Sequence, residues 1–129
     1  MQLRVLSLED VLVTKLLSLT EHNLDYASLL RDARAVREQV DHTKDLAERF
    51  CTALSELVGC GVRIGLLHYA PVPETLLGER LEIYPFLGSY LFAEAADQAG
   101  ADLLVHGHAH GGAERGVTEG GIPVRNVAP

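Results

Sequence analysis

The chain has 129 residues, of which 47% are hydrophobic and 22% charged, and this composition is typical of one small globular domain. Its formal net charge of −7 argues against a nucleic-acid-binding surface, which needs clustered lysine and arginine. No stretch reaches the ~18 consecutive apolar residues of a membrane-spanning helix. The N-terminus lacks the basic and apolar regions of a signal peptide. We therefore expect a cytoplasmic protein that binds neither nucleic acid nor membrane.

The N-terminal part of the chain is predicted to be helical. A capping pattern at Ser7 precedes apolar residues that recur at helical spacing. Asp25 is expected to cap a second helix that extends to Val40. Thr43 is expected to begin a third helix, which ends at Gly59. Two or three helices therefore precede the rest of the fold, and they are amphipathic enough to cover an exposed sheet.

After this helical part the pattern changes to short apolar runs that glycine and proline interrupt. The predicted elements are, in chain order, a strand 62–68, an ordered loop 69–88, a helix 89–100, a strand 103–106 and a hairpin with strands 116–118 and 122–127. This alternation indicates an α/β fold. In such folds ligands bind at the carboxyl ends of the strands.

Histidines follow both predicted central strands at that position. His68 ends the first strand, and His108 and His110 follow the second. Neutral imidazole is the commonest protein ligand for divalent metals, and residues two apart in an extended loop point the same way. His106 lies inside the strand and is interpreted as structural or as supporting a ligand. Two other histidines are interpreted as surface residues, His22 and His42.

These motifs carry a family resemblance. Residues 42–128 resemble the C-terminal portion of a calcineurin-like metallophosphoesterase through Gly-Leu-Leu-His68-Tyr-Ala-Pro, Val-His-Gly-His108-Ala-His110-Gly and Gly-Gly-Ile-Pro-Val-Arg-Asn-Val. The resemblance implies a two-sheet α/β sandwich with two divalent ions (Mn, Fe, Zn or Mg) between the sheets. It implies that His68 and His108 bind the second ion and that His110 binds the first. The implied activity is hydrolysis of a small phosphoester, with no role assigned to Arg125 or Asn126.

The sequence also departs from the family pattern. The family's Asp-x-His, Gly-Asp-x-x-Asp and Gly-Asn-His-Asp/Glu motifs, which supply the remaining ligands and the bridging carboxylate, do not occur in it. Residues 1–40 instead resemble a helical segment of nucleotidyltransferase-like proteins, without catalytic carboxylates. We therefore predict a helical segment 1–41 and a partial, truncated metallophosphoesterase domain 42–129, with an incomplete dinuclear site and no assigned catalytic residue.

An alternative stays open on the same residues. The chain can be a non-catalytic remnant or interaction module that at most binds a divalent metal. In that case the apolar surface freed by the missing sheet would be covered by the N-terminal helices or by a second copy of the chain, which would make a homo-oligomer. Turnover of an aryl phosphate with added Mn²⁺ distinguishes the two interpretations.

Overall fold

The computed structural model describes residues 26–128, with side chains for residues 34–35, 37–81 and 83–128. The chain divides into two compact units between Lys44 and Asp45. The first predicted helix, its capping pattern and His22 lie outside the described residues.

One continuous helix, α1 (Tyr26–Ser55), takes the place of the second and third predicted helices. The prediction that Thr43 begins a new helix is wrong, because its hydroxyl donates to the Gln39 carbonyl at 2.8 Å, within the helix. Residues 40–44 include no glycine or proline that would interrupt a helix. The predicted domain boundary at residue 41 therefore falls inside α1. Within residues 26–128, no helix has both the length and the apolar character that crossing a membrane requires.

Four strands form one mixed sheet in the order β1-β2-β4-β3. Their bounds are β1 (Ile64–Leu67), β2 (Leu103–His106), β3 (Arg115–Val117) and β4 (Pro123–Asn126). β1, β2 and β4 run parallel, and β3 is antiparallel to β4. The mixed α/β class and the hairpin are thus confirmed. The second sheet of a metallophosphoesterase sandwich stays a prediction, since the strands of residues 26–128 form a single sheet.

The predicted loop 69–88 is ordered and contains short helical turns. It includes two 3₁₀ helices, Pro73–Leu76 and Leu81–Ile83, and the one-turn helix α2 (Tyr84–Leu87). Backbone hydrogen bonds close the loop on itself, from Ala70 N to Leu87 O at 2.9 Å and from Ser89 N to Ala70 O at 3.0 Å. A small apolar cluster anchors it against the segment after β2: Ala70, Leu76, Leu87 and Ala109.

Helix α3 (Leu91–Ala99) connects this loop to β2. The predicted stop at Gly100 is confirmed: its φ of 73° is left-handed, and its N–H donates to the Ala96 carbonyl at 2.9 Å. At the other end, the Ser89 hydroxyl accepts a long hydrogen bond of 3.4 Å from Leu91 N.

Burial alternates along the strands, so one face of the sheet carries the core. This face packs against α3 and the last turns of α1, where Phe50 meets Phe92 edge to face at 6.1 Å. The opposite face is open, with Ile64 49% and Leu66 43% exposed. The main core cluster comprises Leu54, Val72, Ala93, Ala96, Ala101, Leu104, Ile122 and Val124.

Candidate metal centre

The carboxyl ends of β1 and β2 lie at the same edge of the sheet. The two strands are parallel, and Leu67 pairs in register with His106. The residues that follow them are His68 and residues 107–112, which we name the histidine loop. The expected placement of the candidate ligands at one sheet edge is therefore confirmed.

Two of the three candidate ligands meet there. The ring centres of His68 and His108 are 4.5 Å apart, with their planes tilted by 37°. Tyr69 contacts both rings edge-on, with its ring centre 4.8 Å from that of His68 and 5.4 Å from that of His108. Imidazole nitrogen binds Zn²⁺ at about 2.0–2.1 Å, which puts the centres of two rings on one ion roughly 4.5–5.5 Å apart. The distance between the two ring centres lies within this range.

The histidine loop turns sharply at His108. His108 has a φ of 68°, left-handed backbone that other non-glycine residues of the described chain do not adopt. Ala109 N donates to Gly107 O at 2.8 Å, and His110 N donates to His108 O at 3.0 Å. The prediction that this loop is extended is thus wrong, because its backbone turns at His108. Strained backbone of this kind is typical of functional sites.

The electrostatic surroundings keep both paired rings neutral. Partial burial lowers the pKa of His68. Burial also lowers the pKa of His108, and repulsion from His68 and His110 lowers it further, while the Phe86 carbonyl and the Glu79 carboxylate act in the opposite direction. Neutral imidazole is the form that binds a metal, so both rings are ready to bind near neutral pH.

A backbone carbonyl orients the His108 ring. The Phe86 carbonyl, in α2, accepts a hydrogen bond from this ring. Ligating histidines commonly engage one ring nitrogen in such a bond, which orients the ring and leaves the other nitrogen for the metal. Sequence reasoning missed Phe86, because a backbone carbonyl carries no signature in residue type.

His106 has a structural role, which is one of the two roles predicted for it. Its side chain is fully buried, with Nδ1 2.8 Å from the Gly107 carbonyl oxygen and Nε2 2.8 Å from Thr75 Oγ1. The carbonyl can only accept, so Nδ1 carries the proton. Burial lowers the pKa of His106. The Thr75 hydroxyl also lies 3.0 Å from the Val72 carbonyl oxygen, and its single proton is shared between this carbonyl and His106 Nε2. Both ring nitrogens of His106 are thus hydrogen-bonded, and the side chain links the end of β2 to Thr75 in the loop 69–88.

The histidine loop is also held from β4 and from the 69–88 loop. Asn126 is buried, and its Nδ2 donates to the Ala109 carbonyl at 2.7 Å. Gly112 N donates to the same carbonyl at 3.1 Å. At Gly112 the backbone passes so close that a Cβ would lie 2.1 Å from the Thr75 carbonyl oxygen. At Gly107, in contrast, a Cβ would meet nothing within 4 Å. Gly112 and Gly107 therefore differ sharply in the space available for a side chain.

Alanine substitutions at these two glycines test this packing. Gly112→Ala should displace the loop backbone and lower the free energy of unfolding by about 1–3 kcal/mol, the usual cost of overpacking. Gly107→Ala should change it by less than about 0.5 kcal/mol, because the added methyl has room. Urea denaturation of both variants without metal measures the difference. Equal losses would contradict the close approach to Thr75.

The paired histidines do not by themselves complete a dinuclear centre. Within residues 26–128, no three His, Cys, Asp or Glu side chains gather into one potential metal-binding group. A two-ion site needs more ligands than two imidazoles supply. The prediction of His110 as a ligand of another ion stays a prediction, with its side chain exposed beside the pair.

The resemblance to metallophosphoesterases rests on short motifs, chiefly those around His68 and His108. Comparisons of the chain with protein-family models, with curated proteins and with solved structures found no match.

Proposed function

We propose that this chain is a metal-dependent phosphoester hydrolase of the metallophosphoesterase type, with an incomplete site that binds one divalent cation. The observation that carries the proposal is the pairing of His68 and His108, which follow neighbouring parallel strands with ring centres 4.5 Å apart. Imidazole ligands favour Zn²⁺ over Mg²⁺, which prefers oxygen. We therefore expect zinc to bind more tightly than manganese or magnesium.

The chemistry of the proposal follows from the ligand set. A bound cation supplies Lewis acidity to a phosphoryl oxygen and lowers the pKa of a bound water. The chain's own contribution is to hold two neutral imidazoles in a fixed pair and to leave the remaining coordination positions open. With fewer protein ligands than a complete site, we expect slow turnover.

The second candidate is a non-catalytic interaction module that at most binds a divalent metal. The open face of the sheet favours it, because Ile64, Leu66 and Val117 are apolar and each at least 43% exposed. Exposed apolar residues on one face of a sheet are typical of association sites when they form a patch.

One experiment distinguishes these functions. The full chain, stripped of metal, is titrated with Zn²⁺ and Mn²⁺ by calorimetry at pH 7.5, and turnover of p-nitrophenyl phosphate and its diester is measured with each metal. We expect micromolar zinc affinity and slow hydrolysis that a chelator abolishes. Zinc binding without turnover supports the interaction module instead. A chain that binds neither metal overturns the hydrolase.

A further inference from the structure

A glycine turn places a carboxylate on the histidine loop. Glu79 N donates to the Leu76 carbonyl at 2.9 Å, Leu77 has φ −60° and ψ 119°, and Gly78 has φ 113°. This is close to a type II β-turn, which needs glycine at its third position. A Cβ at Gly78 would lie 2.1 Å from the Gly111 carbonyl oxygen. The turn therefore rests directly on the histidine loop.

The carboxylate of Glu79 then holds the loop backbone. Its Oε1 accepts a hydrogen bond of 2.6 Å from Gly111 N, across 32 residues of sequence. Both carboxylate oxygens lie within 3.4 Å of the position that a Gly111 Cβ would take. The Glu79 carboxylate is also close enough to interact electrostatically with the His108 ring. Glu79 thus engages the loop immediately after the candidate ligands.

We propose that Glu79 is the positioning residue of the metal centre: its carboxylate holds Gly111 and thereby keeps His108 in position to bind a divalent cation with His68. The inference rests on the proposed metal-binding function. It assigns Glu79 no place among the ligands, since in residues 26–128 no carboxylate gathers with two histidines into one potential metal-binding group. Removing an outer partner of this kind typically costs about 10–100-fold in metal affinity.

Two substitutions separate positioning from charge. Glu79→Gln keeps a side-chain oxygen that can accept from Gly111 N, while Glu79→Ala removes it. The matched control is Glu94→Ala, which removes an exposed carboxylate from α3. Each full-length variant is titrated with Zn²⁺ against a chromophoric chelator. The amide resonance of Gly111 is followed by NMR without metal, and thermal melting checks that each variant is folded.

We expect Glu79→Ala to lose about tenfold in zinc affinity and to shift the Gly111 amide resonance, whereas Glu79→Gln and Glu94→Ala stay close to the parent chain. Zinc affinity unchanged in Glu79→Ala overturns the inference, and so does an equal loss in Glu79→Gln, which would make charge the decisive factor. If the parent chain itself binds no zinc, the proposed function fails. The Gly111 amide then still reports whether Glu79 holds the loop, and an unshifted resonance in Glu79→Ala overturns that step as well.

Discussion

Replacing His108 with alanine should lower zinc affinity by more than about 100-fold, beyond the range of an outer-shell change. The variant loses one of the two rings whose centres lie 4.5 Å apart, and a single imidazole at His68 holds a cation weakly. The fold should survive, because the His108 side chain is half-buried and belongs to no core cluster. Zinc calorimetry at pH 7.5, where the lowered pKa values keep both rings neutral, measures the loss.

The other histidines supply the controls for this experiment. His42→Ala, on α1, should bind zinc as the parent chain does. His68→Ala should lose as much affinity as His108→Ala, and His110→Ala should lose less, because the close ring contact joins His68 to His108. A larger loss in His110→Ala than in His68→Ala would show that the histidine loop rearranges when it binds the cation. An unchanged affinity in His108→Ala would contradict the site altogether.

Replacing Leu104 with alanine should lower the free energy of unfolding by about 2–5 kcal/mol, the range for large-to-small changes in a protein core. Leu104 is completely buried in the main core cluster. One of its methyl carbons lies 2.5 Å from where a Cβ on Gly65 would be, so the side chain packs directly over β1. Urea denaturation without metal measures the loss, because bound metal would add its own stabilisation.

Leu66→Ala is the matched control for Leu104→Ala. Leu66 lies on the neighbouring strand β1 but on the open face, where it is 43% exposed. Its replacement should cost less than about 1 kcal/mol. A loss as large as that of Leu104→Ala would show that the open face is covered in solution, which favours the interaction module.

Local signals in the sequence predicted much of the sheet and its connections. Strand β2 was predicted with its observed bounds, and Gly100 ends α3 because only glycine easily adopts φ 73° there. The predicted break before Thr43 failed for a physical reason. A threonine caps a helix only where its own backbone is non-helical. No glycine or proline interrupts the helix before Thr43, so Thr43 lies inside α1.

The sequence by itself determined which residues stand at the strand ends, because strand length and glycine placement are encoded within a few neighbouring residues. His68 and the histidine loop could be found in this way. Only the tertiary structure decided that the His108 ring lies beside that of His68, on a loop that one left-handed residue turns. It also decided that Glu79, the Phe86 carbonyl and Asn126 contact the histidine loop. The Asn126–Ala109 hydrogen bond joins residues 17 positions apart, and the Glu79–Gly111 hydrogen bond joins residues 32 positions apart. No local sequence pattern specifies such pairs.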